Sequence, residues 1–152
     1  MSDPTFAASR PVAEPVAAGA LERLFEVAAD VRVRAHAPYS KFFVGAAVLD
    51  TEGRVHLGCN VENAAYSEGL CAEAGAIAAM VAAGGRHLRA VVVVGGPAEA
   101  GEVFCPPCGG CRQKIREFAA FGATVHLRDA DGVVTTLPME DMLPWSFGPE
   151  QL

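Results

Sequence analysis

Long hydrophobic runs, clustered positive charge and an even set of cysteines are all missing from this 152-residue chain. No uninterrupted apolar stretch approaches the ~20 residues of a membrane-spanning helix, so no such span is expected. Lys and Arg number 12 against 18 Asp and Glu, for a net charge of -6, and no basic run exceeds a dipeptide. A polynucleotide backbone would be repelled by such a surface, not gathered. Nor is there a basic, aromatic-rich extension on which single strands could stack. The amino terminus lacks the basic-then-apolar layout of a secretory signal, and a cytoplasmic protein is expected. In that setting an odd count of 5 cysteines favours metal binding or reactive thiols over a disulfide framework.

What the chain does contain is 51% hydrophobic residues, enough to bury one core without staples. Residues 1–19 are rich in Ala, Pro and small polar residues with no sustained apolar period, and are expected to form a flexible tail before a single domain over 20–152. From Ala20 the spacing of Leu21, Leu24, Phe25, Ala28 and Val31 predicts a helix that stops near Ala37-Pro38. Phe43 to Leu49 and Arg54 to Cys59 predict a hairpin around Asp50-Thr51-Glu52-Gly53. Leu70 to Ala83 is an alanine-rich helix ended by Gly84-Gly85, and Ala90 to Val94 is a buried strand bounded by Gly95-Gly96-Pro97. A third helix is expected from Gly110 to Phe121, closed by Gly122. Strands near Thr124 to Leu127 and Val133 to Thr136 flank Asp131-Gly132, and a last helical turn lies near Met139 to Leu143. Strands alternating with helices around one sheet imply an α/β domain with helices on both faces.

The chemistry-bearing residues sit in two places. Cys71-Ala72-Glu73 opens the second predicted helix, and Pro107-Cys108-Gly109-Gly110-Cys111 leads into the third. Zinc held by three protein ligands keeps a fourth position open for water, which separates catalytic sites from closed structural ones. Cys105, Cys108 and Cys111 make two overlapping C-x-x-C pairs. The later pair sits where Gly109-Gly110 permit a tight turn, so both sulfurs lie near a helix amino terminus whose partial positive charge favours thiolate over thiol. Cys71 is placed in the same way on the second helix. The expected ligands of one zinc are therefore Cys71, Cys108 and Cys111. Cys59 and Cys105 read as small hydrophobes, and the alternative of a structural site would take Cys105 as fourth ligand. Glu73 is the residue a structural site would not need. Its plain reading is a surface glutamate complementing a helix dipole; two residues past a ligand, it is expected instead to carry the protons of an activated water. Asn60 and Glu62 are two apart, so on an extended segment they leave one face and can grip a small polar group. The alternative is an Asn that shapes a turn and a solvated Glu.

Together these motifs resemble the cytidine deaminase family, in its small all-cysteine form, from about His36 to Phe147. The resemblance runs through Ala37-Pro38-Tyr39-Ser40-Lys41-Phe42 with Val44-Gly45-Ala46-Ala47, then Gly58-Cys59-Asn60-Val61-Glu62-Asn63-Ala64-Ala65-Tyr66. It continues through the cysteine motifs with Arg112-Gln113 and ends at Leu143-Pro144 and Phe147. A Cys or His, a Glu two residues on and a later P-C-x-x-C pair form the general zinc arrangement of base deaminases. The resemblance implies a three-layer α/β/α fold with a mixed five-stranded sheet and one Zn2+ per subunit. It implies hydrolytic deamination of cytidine and 2′-deoxycytidine in pyrimidine salvage, by a homotetramer whose neighbours complete each active site. It makes Glu73 the catalytic residue and places Asn60 and Glu62 on the ribose 3′-hydroxyl, where a carboxylate would repel phosphorylated sugars. Phe42 would pack on the pyrimidine edge, Phe147 would stack on the base in an adjoining subunit, Tyr66 would lie at a subunit contact, and backbone groups of Ala72 would bind the cytosine amide edge.

The chain departs from the family pattern at Ala74, where many all-cysteine members carry an arginine that donates to the thiolates. Helix termini and backbone N–H groups are expected to offset the charge, with Arg112 the nearest cation in sequence. Two alternatives follow from the same residues. One is a deaminase of a modified nucleoside or aminopyrimidine antibiotic, with the Phe42, Asn60 and Glu62 pocket shifted. The other is a zinc-binding module without turnover, against which Glu73 speaks.

Overall fold

The sheet at the centre of the molecule is covered on both faces, and its sequence shows why. The computed structural model describes residues 10–152. Leu24, Phe25 and Ala28 form the buried side of helix α1 (Ala18–Arg32), whose apolar spacing is the helical stripe read above. Next come the hairpin strands β1 (Phe42–Asp50) and β2 (Val55–Cys59), helix α2 (Ala72–Ala82) and strand β3 (Leu88–Pro97). Helix α3 (Gly109–Phe118), strands β4 (Ala119–Arg128) and β5 (Val134–Pro138) and the short α4 (Met139–Met142) complete the order.

The strands lie in the order β2-β1-β3-β4-β5. Neighbours β3 and β4 are parallel and the other pairs antiparallel, so the sheet is mixed. Side chains alternate across it with period two. Ala47, Leu49, Ala90, Val92 and Val94 face α1, while Ala46, Val48, Val91 and Val93 face the layer that holds Ala76, Met80 and Ile115 of α2 and α3. Three layers result, as the sequence implied. Each fully buried valine of β3 contributes ~1.5–3 kcal/mol, and because both faces are covered the strand reads as an unbroken apolar run.

Topology then brings two helix starts together. β1 is antiparallel to both β2 and β3, so β2 and β3 run the same way, and α2 and α3 each leave the carboxyl end of one of these strands. Parallel strands require such crossovers, and in open α/β sheets ligands bind beyond the carboxyl ends. Gly58 permits α2 to lie close, since a Cβ there would fall on the Ala72 carbonyl.

Three boundaries differ from expectation, each for a tertiary reason. Helix α1 ends at Arg32, not near Ala37, because the Arg32 guanidinium bonds the carbonyls of Phe43, Gly96, Pro97 and Gly101 at 2.8–3.0 Å and His36 turns extended to donate to Asn60 O at 3.0 Å. Gly95 and Gly96 continue β3 rather than stopping it. Gly95 is small because Cys105 Sγ would be 2.6 Å from a Cβ there. Ala119 to Phe121 belong to β4, not to the third helix, since Ala119 pairs with Leu88 and Gly122 is a left-handed kink within the strand (φ 77°). Within the stretch expected as a tail over residues 1–19, Arg10 bonds the Ala119 carbonyl, and backbone bonds of 2.8 and 2.9 Å tie Ala13 and Pro11 to Phe121. Residues 1–9 lie outside the described residues.

Candidate metal centre and cleft

Cys71 is the N-cap of α2 and Cys108 the N-cap of α3, with Cys111 in the first turn of α3. Their three sulfurs lie within 4.8 Å of one another, and Cys71 Sγ is 3.9 Å from Cys108 Sγ. Sulfurs each ~2.3 Å from one zinc at tetrahedral angles lie ~3.8 Å apart, so the triad fits a single ion. Cys105 is not part of this group; it is half-buried, packs against the core and lines the cleft beside the triad.

Helix position alone does not make these groups thiolates. Burial pushes Cys108 up, but the Cys111 N–H, 3.4 Å from its sulfur, and the other two thiols outweigh it and hold Cys108 below its ordinary value. Burial pushes Cys71 and Cys111 upward, and in Cys111 the neighbouring Glu73 and Cys71 add to the rise. Three converging sulfurs, two of them pushed toward the neutral thiol by burial, are a donor set that a cation would stabilise as thiolates. A single Zn2+ per chain therefore fits the residues present.

Glu73, in the first turn of α2, is only 4% exposed. Burial pushes its carboxyl above the ordinary range, and its own helix N–H, the Cys111 thiol and the Lys114 ammonium offset this only in part. Arg112, the cation nearest in sequence, points elsewhere: it donates to Pro107 O at 2.9 Å and Met142 O at 3.3 Å. It fixes the loop that carries Cys108 instead of neutralising the sulfurs. Lys114 is the cation whose field reaches Glu73.

Beside the triad opens a cleft of about 360 Å³, lined by Asn60, Glu62, Tyr66, Ala72 and Glu73 together with Cys71 and Cys108. Val44, Val61, Leu70, Cys105 and Pro106 also line it, and the sequence gives none of them a role in substrate binding. Period two along β1 could have found Val44 from Phe42, while Val61 and Leu70 meet through a pair of 2.8 Å backbone bonds that only the fold reveals. The Asn60 amide is partly spent on β1, accepting from Val44 N at 2.8 Å and donating to Phe42 O at 2.9 Å. One lone pair and one N–H remain for a ligand. Glu62 Oε2 accepts from Tyr39 N at 2.9 Å and Ser40 N at 3.2 Å. The Ser40 side chain, then these backbone bonds, hold its carboxyl below the ordinary range. Tyr66 is largely exposed and meets Tyr39 edge-on at 6.3 Å. Phe42 packs toward Gly95, and Phe147 is 59% exposed on the carboxyl-terminal segment; neither lines the cleft of the single chain.

Residues 19–127 match the family model for the cytidine and deoxycytidylate deaminase zinc-binding region. The cytidine deaminase of Sporosarcina psychrophila is 38% identical over 135 residues, covering 87% of this chain and 94% of its own. That of Mycobacterium tuberculosis H37Rv is 41% identical over 118 residues, covering 78% and 82%. The crystal structure of cytidine deaminase from Burkholderia pseudomallei superposes with a TM-score of 0.75 at 40% identity, over 83% of this chain and 98% of that one.

Proposed function

We propose that this chain, which belongs to the cytidine and deoxycytidylate deaminase family, hydrolyses cytidine and 2′-deoxycytidine to the uridine products and ammonia. The observation that carries the reading is a buried carboxylate, Glu73, lining the same cleft as Cys71 and Cys108, two of three sulfurs spaced for one zinc. When bound by Cys71, Cys108 and Cys111, zinc supplies the Lewis acidity that makes a nucleophile available from water near neutral pH. Glu73 accepts a proton from that water and delivers it to ring N3, which makes C4 electrophilic. The water oxygen bonds to C4, and Glu73 then carries that oxygen's remaining proton to the amino group as the C4–N bond breaks, so that water and cytidine leave as uridine and ammonia. Its burial keeps the proton exchange away from bulk solvent. Backbone groups of Ala72 hold the amide edge of the base, and Asn60 and Glu62 hold the ribose 3′-hydroxyl.

Glu62 also sets the substrate class, since its carboxylate repels a sugar phosphate, and the net charge of -6 disfavours polynucleotides. Free nucleosides are the substrates. Phe42 packs on the pyrimidine edge, Tyr66 lies at a subunit contact and Phe147 stacks on the base bound by an adjoining copy. The exposed Tyr66, Trp145 and Phe147 support assembly of the single-domain chain into a homotetramer; the enzyme is cytoplasmic and serves pyrimidine salvage. The test is the ultraviolet absorbance change on adding cytidine to zinc-loaded protein, alongside Glu73→Ala checked for retained metal. Loss of absorbance with the wild type alone is the expected result. No change with cytidine or deoxycytidine would overturn the assignment and turn attention to modified nucleosides.

A further inference from the structure

One face of α3 grips the end of the chain. Arg112 holds Met142 O, Gln113 Nε2 donates to Phe147 O at 2.9 Å, and Arg116 Nε donates to Ser146 Oγ at 2.9 Å. Arg116 also bonds the Glu150 carboxylate, whose other oxygen lies 3.6 Å from Arg10 Nη1. The Arg10 and Arg116 side chains are 8% and 14% exposed and Glu150 42%. Two largely buried guanidiniums thus face each other with one carboxylate between them. Arg10 is itself fixed by the Ala119 carbonyl and by the Phe121 ring, 5.0 Å away. The carboxylate is already in place, so the cavity there is a closed ion triad, not an empty anion site.

The segment so held carries exposed aromatic rings and almost no regular structure. Trp145 is fully exposed with φ 57° and Phe147 is 59% exposed. A ring on a loose segment would have to be ordered each time it met a ligand, and that cost would be subtracted from binding. We propose that Arg116, Glu150 and Arg10 are positioning residues that hold the 145–151 segment in advance, so that Phe147 meets the base in a neighbouring copy's cleft without an ordering step. This rests on the placement of Phe147 in the function proposed above.

The test is the KM for cytidine against kcat in zinc-loaded protein. Arg116→Ala and the near-isosteric Glu150→Gln are expected to raise KM about fivefold with kcat within about twofold, at unchanged zinc content and oligomeric state. Gly148→Ala reaches the same contact with every charge retained, because a Cβ there would be 2.7 Å from both Arg116 Nη2 and Glu150 Oε2; a similar rise is expected. In a Phe147→Ala background the Arg116 and Glu150 substitutions should add less than about twofold, as coupled residues do. An equal rise in that background would mean a merely structural role and overturn the proposal. So would a Phe147→Ala variant with unchanged KM, which leaves the deamination itself standing. Absence of any turnover by the wild type would instead defeat the functional reading.

Discussion

Helix α2 has a buried carboxylate at each end, and the two are treated in opposite ways. At its amino end Glu73 is 4% exposed, and near its carboxyl end Asp50 is 1% exposed. Asp50 Oδ1 accepts from the backbone N–H of Glu52 and Arg54, both at 2.9 Å, and Oδ2 accepts from Arg54 Nε at 2.8 Å and pairs with His56 Nε2 at 2.9 Å. Arg54 goes on to donate to Ala83 O at 3.0 Å, which ties the hairpin turn to the end of the helix. Burial pushes Asp50 up, but His56 and Arg54 outweigh it and the carboxyl sits below its ordinary value. Glu73 is pushed the other way because its own N–H, the Cys111 thiol and Lys114 answer its burial only in part. A carboxylate whose bonds are all met by its own chain is structural. One buried without them is held ready for something that arrives.

The sharpest way to break this contrast is to neutralise each group in turn. Glu73→Gln should lower kcat/KM by at least about 10³-fold, since it removes the carboxylate proposed to carry the protons. It should not lower Tm, because a neutral amide costs less to bury than a carboxylate. A loss of stability comparable to that of an Asp50 variant would break the contrast. Zinc removal comes next. At saturating metal the ion is expected to contribute roughly 4 kcal/mol to stability, and chelation should deprotect amides near Cys71 and Cys108 while those around residues 83–88 change little in hydrogen exchange. Equal loss at both ends would show that α2 opens as one unit.

The two ends also differed in how far they could be read in the sequence. Cys71, Glu73, Cys108 and Cys111 were legible because ligand chemistry demands fixed residue types at fixed spacing, and the helix starts that carry them follow from local propensity. The Asp50 cluster was legible only as a turn. Its meaning depends on His56 from the second strand and Ala83 from a helix nearly thirty residues on, which no local pattern links. The same holds for Ala119 to Phe121, helical by composition and extended because Leu88 offers a parallel partner. Arg10 sits in a stretch that reads as tail until Ala119 and Phe121 give it partners. Phe42 was read from a motif toward the substrate, yet in the single chain it packs toward Gly95, and a site shared between copies does not show itself in one.

Asp50→Asn should cost about 2 kcal/mol, less than a fully buried pair because Arg54 is 39% exposed and solvent screens part of the attraction. Activity per folded molecule should be retained, since an 11-residue helix separates the two ends by roughly 16 Å.

The smallest effect is the most specific. A carboxyl whose folded value lies below its ordinary 3.8 stabilises the fold fully above that value, and the contribution is lost as pH falls through the folded value. His126 behaves with the same sign at higher pH. Burial holds it, between Thr124 and Thr136 at 2.8 Å each, below the ordinary imidazole value of 6.5, so its contribution is lost as pH falls from there. Urea unfolding from pH 7 to pH 2 should therefore show wild type and Asp50→Asn falling together between pH 6.5 and the carboxylate range. Below about pH 4 the wild type should keep losing stability from which the variant has nothing further to lose. Curves that stayed parallel to the lowest pH would mean that Asp50 is no better compensated than Glu73, and the difference between the two ends of α2 would then lie in position alone.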